Sequence, residues 1–241
     1  MIALWLLGAS LGPARVGPGQ WRPAFPPEPG VETVAVAAFL LDRTPVTNAD
    51  FLAFVKDNPS WRRDRVPGIM AESGYLAQWA SPEDPGGLDL RAPVTSVSWF
   101  AARSFCAARG GRLPSTAEWE LAASASSSSP KGDAAFVEQI LSWYAQPSPA
   151  VLPPVGQGQP NYWGLYDLHG LVWEWTEDFN GAMISVDSRS DGDAAQFCGS
   201  GAIAAADKGD YAEFMRVAFR SSLEGRFALP TLGFRCAYDA E

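Results

Sequence analysis

A chain of 241 residues with 47% apolar and 19% charged residues is long enough for one large domain and excludes wholesale disorder. Its net charge of −9, with no basic cluster beyond Arg62-Arg63, excludes nucleic acid as the expected partner. One histidine, His169, excludes any multi-histidine metal site, while ten tryptophans and twenty prolines predict a loop-rich fold closed by large rings.

Ile2 to Leu11 is an apolar run too short to span a bilayer, which predicts no transmembrane segment there. It fits the apolar part of a secretory signal, although no basic residue precedes it and Pro13 crowds a cleavage site; a disordered or packed N-terminus is the alternative. Residues 1–30 are therefore expected to be a signal peptide and flexible leader, with the Pro/Gly-rich part from 13 belonging to no core. Residues 31–241 are expected to form one domain, exported to the periplasm or secreted.

Val34 to Leu41 alternates loosely and reads as a strand. Thr47-Asn-Ala-Asp50 supplies an N-cap with an acid three residues on; Phe51, Phe54 and Val55 follow at helical spacing, and Asn58-Pro59 ends the helix. Residues 60–92 are rich in proline and glycine and read as a long ordered loop. Ser98 opens a second helix through Arg109, stopped by Gly110-Gly111. Ser115-Thr-Ala-Glu118 is a capping box for a third helix ending near Ala123, followed by a serine-rich surface loop to Pro130. Ala134–Tyr144 fits a short helix, and what remains reads as short apolar pieces between glycines. Few helices, short strands and long loops predict one α+β domain with little regular secondary structure.

Asn161-Tyr-Trp-Gly-Leu-Tyr-Asp-Leu-His-Gly-Leu-Val-Trp-Glu-Trp-Thr176 follows neither a helix nor a strand period. With Phe39-Leu-Leu-Asp-Arg-Thr-Pro-Val-Thr-Asn48, Pro93-Val-Thr-Ser-Val-Ser-Trp99, Gly110-Gly-Arg-Leu-Pro114, Ala117-Glu-Trp-Glu120 and Leu232-Gly-Phe-Arg-Cys236, it resembles the sulfatase-modifying factor family, whose best-known member is the formylglycine-generating enzyme. The resemblance extends from about Val31 to Ala237 and implies that family's C-type-lectin-like α+β fold. It implies a disulfide between Cys106 and Cys236, two buried free thiols being the alternative. It also implies a structural calcium held by the side chains of Asp167 and Glu174 and the carbonyls of Gly170 and Val172. Oxygen donors in an irregular loop suit that hard cation, whereas the residues alone are equally read as two solvated acids beside an aromatic turn.

The family's oxidase binds copper(I) through two neighbouring thiolates, as soft a ligand set as that ion requires. They lie between a Gly-Gly-Ser motif, resembled here by Cys198-Gly-Ser200, and an arginine-rich strand, resembled by Arg216-Val-Ala-Phe-Arg-Ser221. No cysteine lies between the two, so no copper and no formylglycine-forming activity are expected. A second branch of the family needs three histidines, which this chain lacks. Asp210 to Leu223 resembles a subgroup without the cysteine pair, associated with genes for copper nitrite reductase. That implies an accessory that binds a peptide or partner protein, such as an exported redox enzyme, during maturation. Trp173, Ser200 and Arg220 match positions near the family's substrate groove, and Cys198 beside them is a candidate lone reactive thiol. On their own residues they read as core tryptophan, turn serine, paired arginine and small buried cysteine. An enzyme of this fold with an unrecognised site, built on Cys198 and Arg220, is the alternative function; a purely structural domain is a third.

Overall fold

Local sequence sets the helices where side-chain oxygens can replace missing backbone partners. In the computed structural model, which describes residues 12–23, 32–180 and 208–240, Thr47 caps α1 (Asn48–Asp57), and its reciprocal bond with Asp50 completes a capping box. Ser98 caps α2 (Trp99–Ala108), Ser115 with Glu118 boxes α3 (Thr116–Ala123), and Asp133 caps α4 (Ala134–Tyr144). The caps of α1, α2 and α3 are at the positions their motifs predict, and Asp133 adds one to α4 that the sequence reading did not single out.

The strands are short. β1 (Ala14–Val16), β4 (Phe39–Leu41) and β7 (Ala237–Asp239) make an antiparallel sheet with β4 in the middle; β2 (Gly19–Trp21) pairs with β3 (Val34–Val36); β5 (Trp173–Glu174) runs parallel to β6 (Leu232–Gly233). Two expectations are corrected here. The single strand read over Val34–Leu41 breaks at Ala37–Ala38, and its halves join different sheets. The leader expected to lie outside the core contributes β1 and β2: Ala14 and Val16 are buried, and Arg43 donates from Nε to the Gly12 carbonyl at 2.9 Å. Prolines and glycines suggested mobility, but the paired stretch needs only three residues of alternating burial at a time.

A third correction concerns the C-terminal third. Arg216–Ser221, read as a strand by resemblance, belongs to α5 (Lys208–Ser221). Its buried positions, Ala212, Arg216 and Arg220, recur every four residues, so the inward stripe carries guanidinium groups instead of aliphatic carbons. A search for apolar periodicity passes over such a helix.

One core cluster gathers α1, α2 and the chain end. Phe51 stacks on Phe105 at 5.7 Å, Phe234 meets Phe105 edge-on at 5.3 Å, and the Cys106–Cys236 disulfide lies buried in the same cluster. Closing a 130-residue separation, that bond contributes about 5 kcal/mol in the chain-entropy model. A second cluster packs β1 and β4 against Trp119 and Ala122 of α3 and Leu165. Among the described residues no helix is long and apolar enough to cross a membrane.

Candidate functional site

The aperiodic tryptophan-rich loop is shaped by one amide side chain and three residues in the left-handed region, Gly164, Asp167 and Gly170. Asn161 Oδ1 accepts from the Trp163 and Leu165 amides at 3.0 and 3.1 Å, while its Nδ2 donates to the Ala122 carbonyl at 2.8 Å. Asp167 has φ 59° and Gly170 φ 99°; glycine meets that requirement without strain, whereas Asp167 adopts it in a form open mainly to short polar side chains. The loop then enters β5, which seats Trp175 at 0% exposure with its indole donating to the Val97 carbonyl at 2.8 Å.

Arg235 organises everything beneath this loop. Its guanidinium is fully buried and donates to Glu174 Oε1 at 2.7 Å, to the Tyr166 carbonyl at 2.9 Å, and to the carbonyls of Asp42 and Arg43 at 3.2 Å. The second Glu174 oxygen accepts from Arg235 Nε at 2.8 Å and from the Trp119 indole at 2.7 Å. A buried arginine and carboxylate are tolerable together only because their remaining valences are filled in this way.

A second buried ion cluster lies alongside. Glu120 receives Arg216 through three bonds of 2.5 to 3.0 Å and Arg220 Nη1 at 2.9 Å. Burial pushes the Glu120 carboxyl up, but the two guanidinium groups outweigh it and hold it below the ordinary carboxylate range. Arg216 also donates to the Tyr144 hydroxyl at 2.9 Å, and Arg220 lies 4.4 Å from the centre of the Trp119 ring, a cation–π distance. α5 is thus fastened to α3 by charge.

Against this frame the expected site residues separate. Arg220 donates from Nη1 to Glu120 at 2.9 Å and from Nε to the Glu174 carbonyl at 3.4 Å, which makes it half of a structural ion pair. Trp173 is covered by rings: Phe219 at 4.6 Å, Tyr144 at 5.1 Å and Trp143 at 5.5 Å. Cys198 and Ser200 lie outside the described residues. Cys106 and Cys236 are joined, as the resemblance implied. Two of the chain's three cysteines are therefore joined to each other, and the third is Cys198.

Of the expected calcium ligands, Asp167 and Glu174 lie near enough for their charges to interact. Burial raises the Asp167 carboxyl; the Gly156 amide, donating to its Oδ2 at 2.5 Å, and the Arg235 charge lower it, and the negative charge of Glu174 raises it further. Oxygen donors beside an incompletely neutralised carboxylate fit a hard cation. The balance differs from that expected, because Arg235 already compensates Glu174. Among the described residues no group of three or more His, Cys, Asp or Glu side chains is placed to hold a metal, so backbone oxygens would have to supply the rest.

Sequence reasoning missed Arg235, Glu120 and Arg216 as structural hubs, and their signal was faint: charged residues embedded in apolar runs. It also gave His169 no role. Nε2 of His169 donates to the Ala123 carbonyl at 2.9 Å, and the ring packs edge-on against Trp119 and Phe136. The residue as a whole is half-buried, but its Nδ1 is sealed from solvent without a partner among the described residues. Burial, with Arg216 nearby, pulls its pKa down to about 3, so the imidazole is neutral at physiological pH.

Known proteins share this architecture. Residues 11–240 match the model of the sulfatase-modifying factor enzyme 1-like domain. The chain is 32% identical to the inactive C-alpha-formylglycine-generating enzyme 2 of Bos taurus, covering 87% of this chain and 80% of that protein. It is 30% identical to the formylglycine-generating enzyme of Thermomonospora curvata over 74% of this chain and 72% of that one. Two solved structures share the fold alone: Treponema denticola variable protein 1, with TM-score 0.52, 18% identity and 95% coverage of both chains, and CarF, with TM-score 0.50, 19% identity and coverage of 95% and 98%. With a family model spanning nearly its whole length, and both charge clusters built on motifs of that family, the chain belongs to the sulfatase-modifying factor family.

Proposed function

We propose that this protein is an exported, non-oxidase member of its family that binds a peptide or partner protein while another exported enzyme, such as a redox enzyme, matures. The observation that carries the reading is the cysteine count. A copper(I) oxidase of this family needs two neighbouring thiolates, and here Cys106 and Cys236 are spent on each other, leaving Cys198 alone. Similarity to a relative named as inactive supports the same reading. The apolar run at the N-terminus and the disulfide support an oxidising, periplasmic or secreted location. A structural calcium at Asp167 and the carbonyls of Gly170 and Val172, with Glu174 as a charge-compensated neighbour, belongs to this proposal.

The alternative, an enzyme of the same fold acting through Cys198, is separated by complementation. In the native host, deletion of this gene is expected to lower the activity of the exported enzyme encoded beside it. Cys198→Ser is then expected to restore that activity as well as the wild-type chain does. Failure of the serine variant, present in the exported fraction at wild-type level, would favour the enzyme reading.

A further inference from the structure

The Cys106–Cys236 bond joins two elements that a second, non-covalent link also joins. Asp42 follows β4 and is buried. Its amide donates to the Cys236 carbonyl at 2.8 Å, and its Oδ2 accepts from the Cys236 amide at 3.3 Å. Its Oδ1 accepts from the Tyr238 hydroxyl at 3.3 Å. A carboxylate that receives two donors from the chain end fixes where that end lies, in addition to the pairing of β7 with β4.

The other end of the link is on α2. Arg109, the residue that ends this helix, donates from Nη1 to Asp42 Oδ2 at 2.9 Å. Its own amide bonds the Cys106 carbonyl at 3.0 Å, one turn back along the helix. Its guanidinium also lies over the rings of Phe105, 5.5 Å from the centre, and Tyr238, at 6.0 Å, so it is held between helix and strand. Arg109, Asp42 and the Cys236 amide therefore make a polar bridge beside the sulfur bridge, between the same helix and the same chain end. None of its bonds requires the two sulfurs to be joined.

We infer that the Asp42–Arg109 pair is a redox clasp: it holds Cys106 beside Cys236 while both are thiols, so that this pair closes and recloses in preference to any bridge from Cys198. In an open chain, sulfurs separated by 130 residues meet at an effective concentration of about 1 mM or less. A clasp that keeps helix and chain end together raises that concentration, and with it the equilibrium constant for closure. Closure by a disulfide oxidant such as oxidised glutathione is balanced. The two protein thiols give up two electrons and two protons as one S–S bond forms, and the glutathione disulfide is reduced to two thiols. Three cysteines allow three pairings, and the clasp favours one of them. The inference does not depend on the proposed accessory role.

Equilibration of the purified full chain in glutathione buffers, with the bridges mapped by mass spectrometry after acid quenching, tests it. The wild type is expected to form Cys106–Cys236 alone. Its effective concentration is expected to fall about tenfold in Asp42→Asn and about fivefold in Arg109→Gln, since each loses a charged hydrogen bond. The Arg109 side chain is 44% exposed, so Arg109→Gln is expected to fold and decides the matter if Asp42→Asn does not. Arg103→Gln breaks an ion pair with Glu177 from the same helix and is expected to change nothing. Equal effective concentrations in the wild type and Arg109→Gln would overturn the inference. So would a fall of the same size in Arg103→Gln, or bridges to Cys198 in the wild type at equilibrium.

Discussion

Glu120 and Glu174 carry more of this molecule than their count suggests. Each is almost fully buried, and each is neutralised by arginine from a distant part of the chain, Arg216 with Arg220 and Arg235 respectively. Removing one partner leaves the others charged in a medium that solvates them poorly. Glu120→Ala is therefore expected to lower unfolding free energy by about 3–5 kcal/mol, read by urea denaturation, because two guanidinium groups lose their counter-ion. A loss under about 1 kcal/mol would show that water reaches the cluster. Asp167 makes a different prediction. If it anchors a calcium ion, added calcium raises the melting temperature by mass action on the folded state, and Asp167→Asn abolishes the rise. The sequence singled out Asp167 and Glu174 by position in a motif, but not that Glu174 would face Arg235, since that pairing spans 61 residues.

Helices with side-chain caps were legible as elements, because Thr47, Ser98, Ser115 and Asp133 act on their own neighbours. α5 was not, since its buried stripe is Ala212, Arg216 and Arg220 and its partner acid lies on α3. The N-terminal strands were missed for a related reason: three-residue strands leave little period to read, and β1 is a strand only because β4 lies beside it. That pairing has a consequence at this scale. A chain beginning at residue 24 removes Ala14 and Val16 from the cluster around Trp119 and leaves β4 without one neighbour. It is expected to melt several degrees lower than the full chain, since burying two small apolar side chains and a strand edge contributes about 2–4 kcal/mol. An unchanged melting temperature would return residues 12–23 to the role of a leader.

For the molecule as a whole, family membership and the absence of a cysteine pair point in opposite directions, and the proposed non-oxidase reading rests on the disulfide. The scaffold keeps the central signature, the aromatic loop and the chain-end arginine of an oxidase family, all used here to hold the fold together. On the reading proposed above, the copper–thiolate chemistry is the part that has not been kept. The fold was legible in the sequence, because its motifs are local; the long-range charge network that holds the motifs together was not. Copper(I) titration of the oxidised, full-length chain against a competing chromogenic chelator tests this most directly. The account predicts no stoichiometric, tightly held copper, because a single thiol at Cys198 cannot form the two-sulfur site. One copper per chain, retained against the chelator and lost in Cys198→Ser, would contradict it.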